Sequence, residues 1–203
     1  MNDQYFADRP TSASAPTEVT LTLPGLQLDL ATDRGVFARD AVDVGTRLLL
    51  LDAPAPATTP RTMLDLGCGY GPIALTMASR WPEAELWAID VNERARALCV
   101  ANAERHGLTM TVAHPDDVPA DVTFDLVWSN PPIRIGKTAL HTLLTTWLDR
   151  LSPTGEAVLV VQKHLGSDSL HRWLDDNGWP TQRCSSQRGY RLLRVGSRTG
   201  TDR

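Results

Sequence analysis

The chain has 203 residues, of which 42% are hydrophobic and 22% are charged. This length and composition allow one well-buried core and are short for two, so we expect one compact domain. The 20 basic and 24 acidic residues give a formal net charge of −4, which argues against a strongly basic nucleic-acid-binding surface.

The sequence contains neither a recognisable secretion signal nor a membrane span. The N-terminus lacks a basic flank and an apolar core, and no apolar run approaches the roughly 18 to 20 residues that cross a bilayer. The three cysteines are widely spaced and form no CxxC pair, so they indicate neither a zinc site nor a redox motif. We therefore expect a cytoplasmic monomer that binds no metal and no membrane, with Cys68, Cys99 and Cys184 reduced and buried.

Residues 1–60 predict an N-terminal arm, a β-hairpin and a helix that pack on the core. Residues 1–17 are rich in Ser, Thr, Ala and Pro, which is typical of an arm with little regular structure. Polar and apolar residues alternate over 18–23 and 26–30 on either side of Pro24 and Gly25, and this pattern predicts a hairpin. Asp43 at the head of an apolar run that ends at Leu51 predicts a helix.

We expect residues 61–203 to form the catalytic core. Short apolar runs alternate with helical patterns, which predicts a Rossmann-like α/β fold with a seven-stranded, mostly parallel sheet and helices on both faces. Two final strands without a helix between them predict an antiparallel hairpin at one edge. The predicted strands are 62–66, 85–90, 110–114, 124–129, 156–162, one around Arg183 and 190–195, and the predicted helices are 72–80, 92–106, 138–151 and 167–177.

The string DLGCGYG at residues 65–71 follows the first core strand and predicts a cofactor cradle. Glycines at this turn let the backbone turn tightly and let a ligand lie against it. A dinucleotide fingerprint GxGxxG would have its third glycine at position 72, which is Pro72, so a phosphate-containing cofactor is disfavoured. A cofactor without phosphates is therefore preferred, and the string looks like a cradle for S-adenosylmethionine.

Acidic residues at the ends of the predicted strands complete the expected cofactor site. Asp90 ends the second core strand, where an acid usually accepts hydrogen bonds from ribose hydroxyls. Asp65 could pair with the amino group of the methionine moiety, and Asp116 or Asp117 could bind the adenine amine. Each acid could instead be a helix cap or a surface-loop residue. The predicted cofactor-binding residues are Asp65, Gly67, Cys68, Gly69, Gly71, Asp90, Val91, Asp116, Asp117 and Asn130.

The string SNPP at residues 129–132 ends the fourth core strand and predicts an acceptor site beside the glycines. The side-chain oxygen of Asn130 and the carbonyl of Pro131 can each accept a hydrogen bond from one NH2 group, and Pro132 stiffens the loop. Such a pair of acceptors aims the lone pair of the amine at a methyl donor without a general base. We predict that Asn130, Pro131 and Pro132 are the catalytic residues.

Two positively charged regions leave two readings open. Arg134 and Lys137 follow the NPP motif and are either phosphate contacts or a solvated helix start. From residue 181 to the end there are six arginines and a single acid, which form either a solvated strand face with a basic tail or an RNA-facing patch.

The chain resembles the small-domain methyltransferases that are similar to bacterial 16S ribosomal RNA guanine-N2 methyltransferases. The resemblance rests on four strings and covers nearly the whole chain, as a catalytic module without the second domain of larger members. It implies a class I methyltransferase that uses S-adenosylmethionine and acts on guanine N2 in small-subunit ribosomal RNA, with 16S RNA or the small ribosomal subunit as partner. The strings are QYFADRP (residues 4–10), DRGVFARDAVDVGTRLLL (33–50), NPPIRIGK (130–137) and GYRLLRV (189–195).

The resemblance also suggests residues that bind the acceptor. Ile133 stands where larger members have an aromatic residue, so base stacking would come from Tyr5, Phe6 or Phe37. Gly35, Val36 and Phe37 would wall the pocket under the arm, or would pack in the core beneath the hairpin. The predicted substrate-binding residues are Tyr5, Phe6, Phe37, Ile133, Arg134 and Lys137.

Three alternatives to the guanine reading remain open. A glutamine side chain of a protein and adenine N6 of DNA also present an NH2 group that an NPP clamp could hold. A non-catalytic RNA-binding or ribosome-assembly factor could retain the same fold. Ile133 weighs slightly against the first two, because such enzymes usually have Tyr or Phe at this position, and the intact Asn130 and Pro131 argue against the third. Gln4, where the family commonly has His, bears on which guanine is the target rather than on the chemistry.

Overall fold

The computed structural model describes residues 12–198, and in that part of the chain nine strands and five α-helices form the fold. Three short 3₁₀ turns, Pro115–Asp117, Ile133–Ile135 and Lys163–Leu165, follow strands at the carboxyl edge of the main sheet. The elements are β1 Thr17–Leu23, β2 Leu26–Thr32, α1 Val44–Asp52, β3 Thr62–Leu66, α2 Pro72–Arg80, β4 Glu85–Ile89, α3 Glu93–Arg105, β5 Thr111–Ala113, β6 Phe124–Ser129, α4 Lys137–Leu148, β7 Leu151–Gln162, α5 Ser167–Asp176, β8 Thr181–Gln187 and β9 Tyr190–Gly196.

The main sheet has seven strands in the order β5-β4-β3-β6-β7-β9-β8. Strands β3 to β7 pair in parallel, whereas β9 pairs antiparallel with both β7 and β8. The predicted fold class, including its antiparallel edge hairpin, is therefore confirmed.

The chain reverses direction across the sheet between β3 and β6. After β3 it moves outward through β4 to β5, and it then returns to place β6 on the other side of β3. Ligands in open α/β sheets bind at the carboxyl ends of the strands, in the crevice where the strand order reverses. The glycine string follows β3 and the NPP string follows β6, so both predicted motifs lie at this crevice.

Two hydrophobic clusters cover the faces of the sheet. Helices α1, α2 and α3 and the β1–β2 hairpin pack on one face, and helices α4 and α5 pack on the other. The central strands contribute to both clusters: Leu64 of β3 and Val127 of β6 face α4 and α5, whereas Met63 and Leu126 face the hairpin side. Burial on both faces explains the continuous apolar runs of β3, β6 and β7.

The β1–β2 hairpin is a separate two-stranded sheet held by its turn and by α3. Pro24 and Gly25 occupy the two central positions of the turn, and Gly25 has a positive φ of 73°, as a type II turn requires. The side-chain amide of Asn102 in α3 accepts from Ala31 N at 2.7 Å and donates to Ala31 O at 2.9 Å. The hairpin therefore extends the core on the α3 side.

Two details differ from the sequence predictions. The predicted helix 138–151 ends at Leu148, because Arg150 O accepts from Phe124 N at 2.8 Å and Leu151 already pairs with Phe124 as the start of β7. Cys184 is exposed on β8 rather than buried, whereas Cys68 and Cys99 are buried as predicted. The division of the chain at residue 60 stays a prediction.

Candidate functional site

The glycine loop between β3 and α2 provides open space for a ligand. Gly67 and Gly69 have positive φ angles of 83° and 55°, and a Cβ added to either residue would meet nothing within 4 Å. Gly67 N and Cys68 N both donate to Ile89 O at 2.9 Å, which fixes this loop to the end of β4. The loop therefore forms a rigid backbone cradle that faces an empty volume.

Gly71 and Cys68 lie on the protein side of this cradle. A Cβ on Gly71 would lie 2.6 Å from Leu75 Cδ1 and 2.9 Å from Cys99 Sγ, so glycine here allows α2 and α3 to approach. Cys68 is buried, and its hydrogen bond with Cys99 together with burial raises the pKa of its thiol. Contacts of these two residues with a cofactor stay predictions.

Asp65 has one carboxylate oxygen without a partner. Its Oδ2 accepts from Ala74 N at 2.8 Å in the first turn of α2, whereas its Oδ1 is buried and has no hydrogen-bond partner among the described residues. Burial raises the pKa of Asp65 well above its ordinary value, and the charge of Asp90 adds to this effect. A cationic group beside Oδ1 would satisfy the free oxygen and stabilise the ionised form.

Asp90 is held at the end of β4 by two backbone amides. Its Oδ2 accepts from Gly69 N and its Oδ1 from Asn92 N, both at 2.9 Å. Burial raises the pKa of Asp90. The two hydrogen bonds and the charge of Arg96 lower it, but the effect of burial is larger. The α3 cap is Asn92 rather than Asp90, so the carboxylate keeps lone pairs for a ligand. Val91 follows Asp90 and is exposed at the same edge.

Asp116 and Asp117 lie in the 3₁₀ turn after β5. His114 caps this turn by accepting from Asp116 N at 3.2 Å, and both carboxylates are exposed. Their position beyond β5 is at the same edge of the sheet as Asp90, because Asp90 N donates to Ala113 O at 3.3 Å. Binding of an adenine amine by either residue stays a prediction.

Asn130 lies opposite the glycine loop, one strand away. Ser129 Oγ donates to Leu66 O at 2.7 Å, which ties the end of β6 to the end of β3. The Asn130 amide nitrogen donates to Asp43 Oδ2 at 2.9 Å and to Thr46 Oγ1 at 3.0 Å. Both of its hydrogens are therefore used, and no donor in residues 12–198 reaches its side-chain oxygen.

The two prolines form a tight turn after Asn130. Pro132 has φ −74° and ψ 73°, an inverse γ-turn in which Ile133 N donates to Pro131 O at 2.8 Å. Pro131 is buried, and its carbonyl keeps one lone pair for a further donor. The two predicted acceptors, Asn130 Oδ1 and Pro131 O, are therefore present. Pro131 O already accepts one hydrogen bond, from Ile133 N.

A cavity of about 580 Å³ is walled mainly by the loop between β2 and α1, and one of its lining residues, Asp43, contacts Asn130. Asn92 Nδ2 donates to Gly35 O at 2.7 Å, and Tyr70 Oη donates to Ala38 O at 3.3 Å, so α3 and the glycine loop hold the wall in place. Ala38 has a positive φ of 56°, which is strained for a residue with a side chain. The lining residues are Ser12 and residues 34–44.

The predicted substrate residues divide between this wall and the end of the NPP turn. Val36 is buried in the core cluster of the hairpin side, whereas the ring of Phe37 is 49% exposed at the cavity. Ile133 is half-buried against the α4–α5 cluster, and Arg134 and Lys137 are exposed. Tyr5 and Phe6 lie outside the described residues.

Within residues 181–198, most of the arginines near the C-terminus are paired with acids. Arg183 and Arg191 both contact Asp168, and Arg194 contacts Glu156. Neighbouring acids therefore neutralise much of this charge, which weakens the reading of this segment as an RNA-facing patch.

Sequence reasoning missed Asp43 and Thr46 as part of the site. Asp43 was predicted only to begin a helix, and it does cap α1 by accepting from Thr46 N at 3.1 Å. Their contact with Asn130 spans more than 80 residues of sequence. The only available signal was their place in the string at 33–50.

Within residues 12–198, none of the helices has the length and hydrophobicity that a membrane-spanning helix needs. In the same range, no group of three or more His, Cys, Asp or Glu side chains is arranged to hold a metal ion.

The comparisons with known proteins agree with this geometry. The chain matches the family described as "Methyltransferase small domain" over residues 27–194. It is 32% identical to the uncharacterised Bacillus subtilis protein YbxB over 199 residues, which cover 96% of this chain and 98% of YbxB. It is 35% identical to the Shewanella baltica ribosomal RNA large subunit methyltransferase G over 158 residues, covering 73% of this chain but only 41% of that enzyme.

A solved structure shows the same fold. The T. thermophilus 16S rRNA N2 G methyltransferase RsmC, in complex with AdoMet and guanosine, matches with a TM-score of 0.76 and 23% identity, over 93% of this chain and 52% of RsmC. The cofactor predicted from the sequence is the one named for this structure. On the match to residues 27–194 and the relationship to YbxB, the chain belongs to the methyltransferase small-domain family.

Proposed function

We propose that the chain transfers a methyl group from S-adenosylmethionine to an exocyclic NH2 group, which we assign to guanine N2 of ribosomal RNA. One juxtaposition carries the proposal. The glycine cradle follows β3, where Asp65 Oδ1 has no partner among the described residues, and Asn130 follows the adjacent β6, where no donor within residues 12–198 bonds to its side-chain oxygen. Adjacent strands are about 4.8 Å apart, so donor and acceptor would meet across one strand spacing.

The donor side of the site fits S-adenosylmethionine. The α-ammonium of its methionine moiety would satisfy Asp65 Oδ1, and its ribose hydroxyls would use the remaining lone pairs of Asp90. The space above Gly67 and Gly69 would take the body of the cofactor. When bound, the cofactor supplies an electrophilic methyl group on a sulfonium.

The acceptor side acts mainly by orientation. Asn130 Oδ1 and Pro131 O would each accept one N–H of the exocyclic amine, which draws its lone pair out of conjugation and toward the methyl group. The γ-turn at Pro132 holds the Pro131 carbonyl in place. The methylated ammonium is acidic enough to lose its proton to solvent, so no general base is required.

Three observations support ribosomal RNA as the substrate class. A family member at 35% identity acts on large-subunit ribosomal RNA, and the structural relative RsmC acts on 16S ribosomal RNA. Phe37 presents an exposed aromatic face at the cavity, where it would stack on a base in place of the aliphatic, half-buried Ile133. The resemblance favours 16S RNA, whereas the 35% relative favours large-subunit RNA as the second candidate.

Methyl transfer to separated ribosomal subunits tests the proposal. Purified protein and radiolabelled S-adenosylmethionine are incubated with both subunits, and with their naked RNAs, from a strain that lacks the gene. Nucleosides from the labelled RNA are then identified by mass spectrometry. We expect N2-methylguanosine in 16S RNA; the same nucleoside in large-subunit RNA would support the second candidate. Label in N6-methyladenosine or in protein glutamine, or no label, would contradict the assignment.

A further inference from the structure

We propose that Asp43, together with Thr46, is a positioning residue that fixes which end of the Asn130 amide faces the acceptor. This inference rests on the proposed function and deepens it, because it concerns how the site selects an NH2 group. Asp43 and Thr46 lie at the start of α1, far from the NPP motif in sequence, and both contact only the nitrogen end of the amide.

The orientation of the Asn130 amide follows from the chemistry of its partners. A carboxylate accepts hydrogen bonds but does not donate them, so the group 2.9 Å from Asp43 Oδ2 must be the NH2 end of the amide. A flipped amide would place its oxygen against the Asp43 carboxylate, which has no hydrogen to donate, whereas the Thr46 hydroxyl can bond to either end of the amide. The oxygen end therefore faces away from α1 and remains the only end available to an acceptor.

Asp43 is itself restrained by its neighbours. Its Oδ2 caps α1 by accepting from Thr46 N at 3.1 Å, in addition to the bond from Asn130. Tyr190, at the start of β9, lies near this carboxylate, and burial together with the charge of Asp43 raises the pKa of its hydroxyl. A Cβ on Gly45 would lie 2.7 Å from the Tyr190 ring and 2.9 Å from Asp43 Oδ2, so the absent side chain makes room for both groups. The carboxylate therefore has little freedom to follow a rotating amide.

The fixed orientation determines which acceptor chemistry the site can bind. With its oxygen outward, Asn130 accepts from an N–H and pairs with an amine that must lose conjugation before it attacks. With its nitrogen outward, it would donate instead, which suits a carbonyl or alkoxide oxygen and opposes an NH2 group. We infer that the contact between α1 and Asn130 specifies nitrogen methylation, because it excludes the orientation in which the NH2 group of Asn130 faces the acceptor.

Single substitutions separate this role from the helix cap. Asp43→Ser keeps a good N-cap but has a shorter side chain that does not reach Asn130, whereas Asp43→Asn keeps both the cap and an oxygen for Asn130. Thr46→Val removes the second acceptor without a change in volume. Thr76→Val is the matched control, because Thr76 is an equally buried helical threonine whose hydroxyl bonds only to Pro72 O.

We expect Asp43→Ser combined with Thr46→Val to lower kcat on ribosomal RNA about 10- to 100-fold, since small displacements of a positioning group cost about that much. The Kd for S-adenosylhomocysteine and the KM for RNA should stay within about threefold of wild type. Asp43→Asn should recover most of the loss, and Thr76→Val should have wild-type kcat. Wild-type kcat in the double variant, or a parallel loss of cofactor affinity, would overturn the proposal.

Solvent exchange of the Asn130 side-chain amide, measured by NMR, tests the positioning role without any methyl transfer. In ¹⁵N-labelled wild-type protein, the side-chain NH2 signal of Asn130, assigned by its absence in Asn130→Ala, should exchange slowly with solvent. In the double variant the same signal should exchange at least tenfold faster. If the Asn130 NH2 group exchanges slowly in the wild type but no RNA is methylated, the proposed substrate is refuted and the positioning role of Asp43 still stands. Fast exchange in wild type would refute the positioning role.

Discussion

Replacement of Asp65 by Asn is the substitution whose effect on cofactor affinity follows most directly from the structure. Asp65 Oδ2 is occupied by Ala74 N, so in Asp65→Asn the amide oxygen would take that bond and the NH2 group would take the position of the free Oδ1. An NH2 group cannot accept a hydrogen bond from the ammonium of the cofactor. A hydrogen bond to a charged group contributes about 1.5–3 kcal/mol, so Kd should rise about 10- to 150-fold.

The pH dependence of the same binding has a definite sign. Burial raises the pKa of Asp65 in the ligand-free protein, with a further contribution from Asp90. The cationic ligand prefers the ionised carboxylate, so wild-type affinity should fall as the pH drops below this raised pKa. Above it, affinity should be constant as long as the ligand ammonium stays protonated. Asp65→Asn has no such group at this position, so its weaker binding should depend less on pH.

Isothermal titration calorimetry with S-adenosylhomocysteine measures both effects. Asp125→Asn serves as the control, because it is the same chemical change in the neighbouring strand β6, at the opposite end of the sheet. There the carboxylate accepts from Arg61 N, Thr62 N and Ser152 Oγ and has no contact with the crevice. Wild-type affinity in Asp65→Asn, or an equal loss in Asp125→Asn, would refute the assignment of the free oxygen to the cofactor ammonium.

Three further predictions concern the other parts of the site. Asp90→Ala removes a charged acceptor for two ribose hydroxyls and should weaken S-adenosylhomocysteine binding about 100-fold or more by calorimetry; unchanged affinity would exclude the ribose contact. Asn130→Ala should still bind S-adenosylhomocysteine but lose methyl transfer at least about 100-fold, so an active variant would remove the amide from the mechanism. Phe37→Leu should raise the KM for RNA about fivefold or more through the loss of about 1–3 kcal/mol of base stacking, and a KM equal to wild type would exclude stacking.

The order and type of the core elements could be predicted from local sequence. The strict alternation of apolar strands with helices predicts a parallel sheet, and Pro72 after the glycine loop and Asn92 before α3 mark helix starts that the structure has. The end of α4 could not be placed, because its pattern continues to Leu151 and only the pairing of that residue with Phe124 ends it. Boundaries of this kind depend on tertiary contacts.

The two main strings of the site could also be predicted, since each follows a core strand and parallel strands end at one edge. The support of Asn130 by Asp43 and Thr46 could not, because a helix-capping aspartate has the same local pattern whether or not it contacts another motif. The ion pairs of Arg183, Arg191 and Arg194 were hidden for the same reason. Their partners are distant acids, and a count of arginines near the C-terminus does not reveal them.

A crystal structure with S-adenosylhomocysteine and guanosine is the most direct measurement of where methyl donor and amine meet. We predict that the sulfur lies in the crevice between Gly67 and Asn130, with the ligand ammonium on Asp65 Oδ1. The guanine N2 should then lie within hydrogen-bond distance of Asn130 Oδ1 and Pro131 O. A cofactor bound outside this crevice, or an Asn130 oxygen turned away from the guanine, would contradict the account.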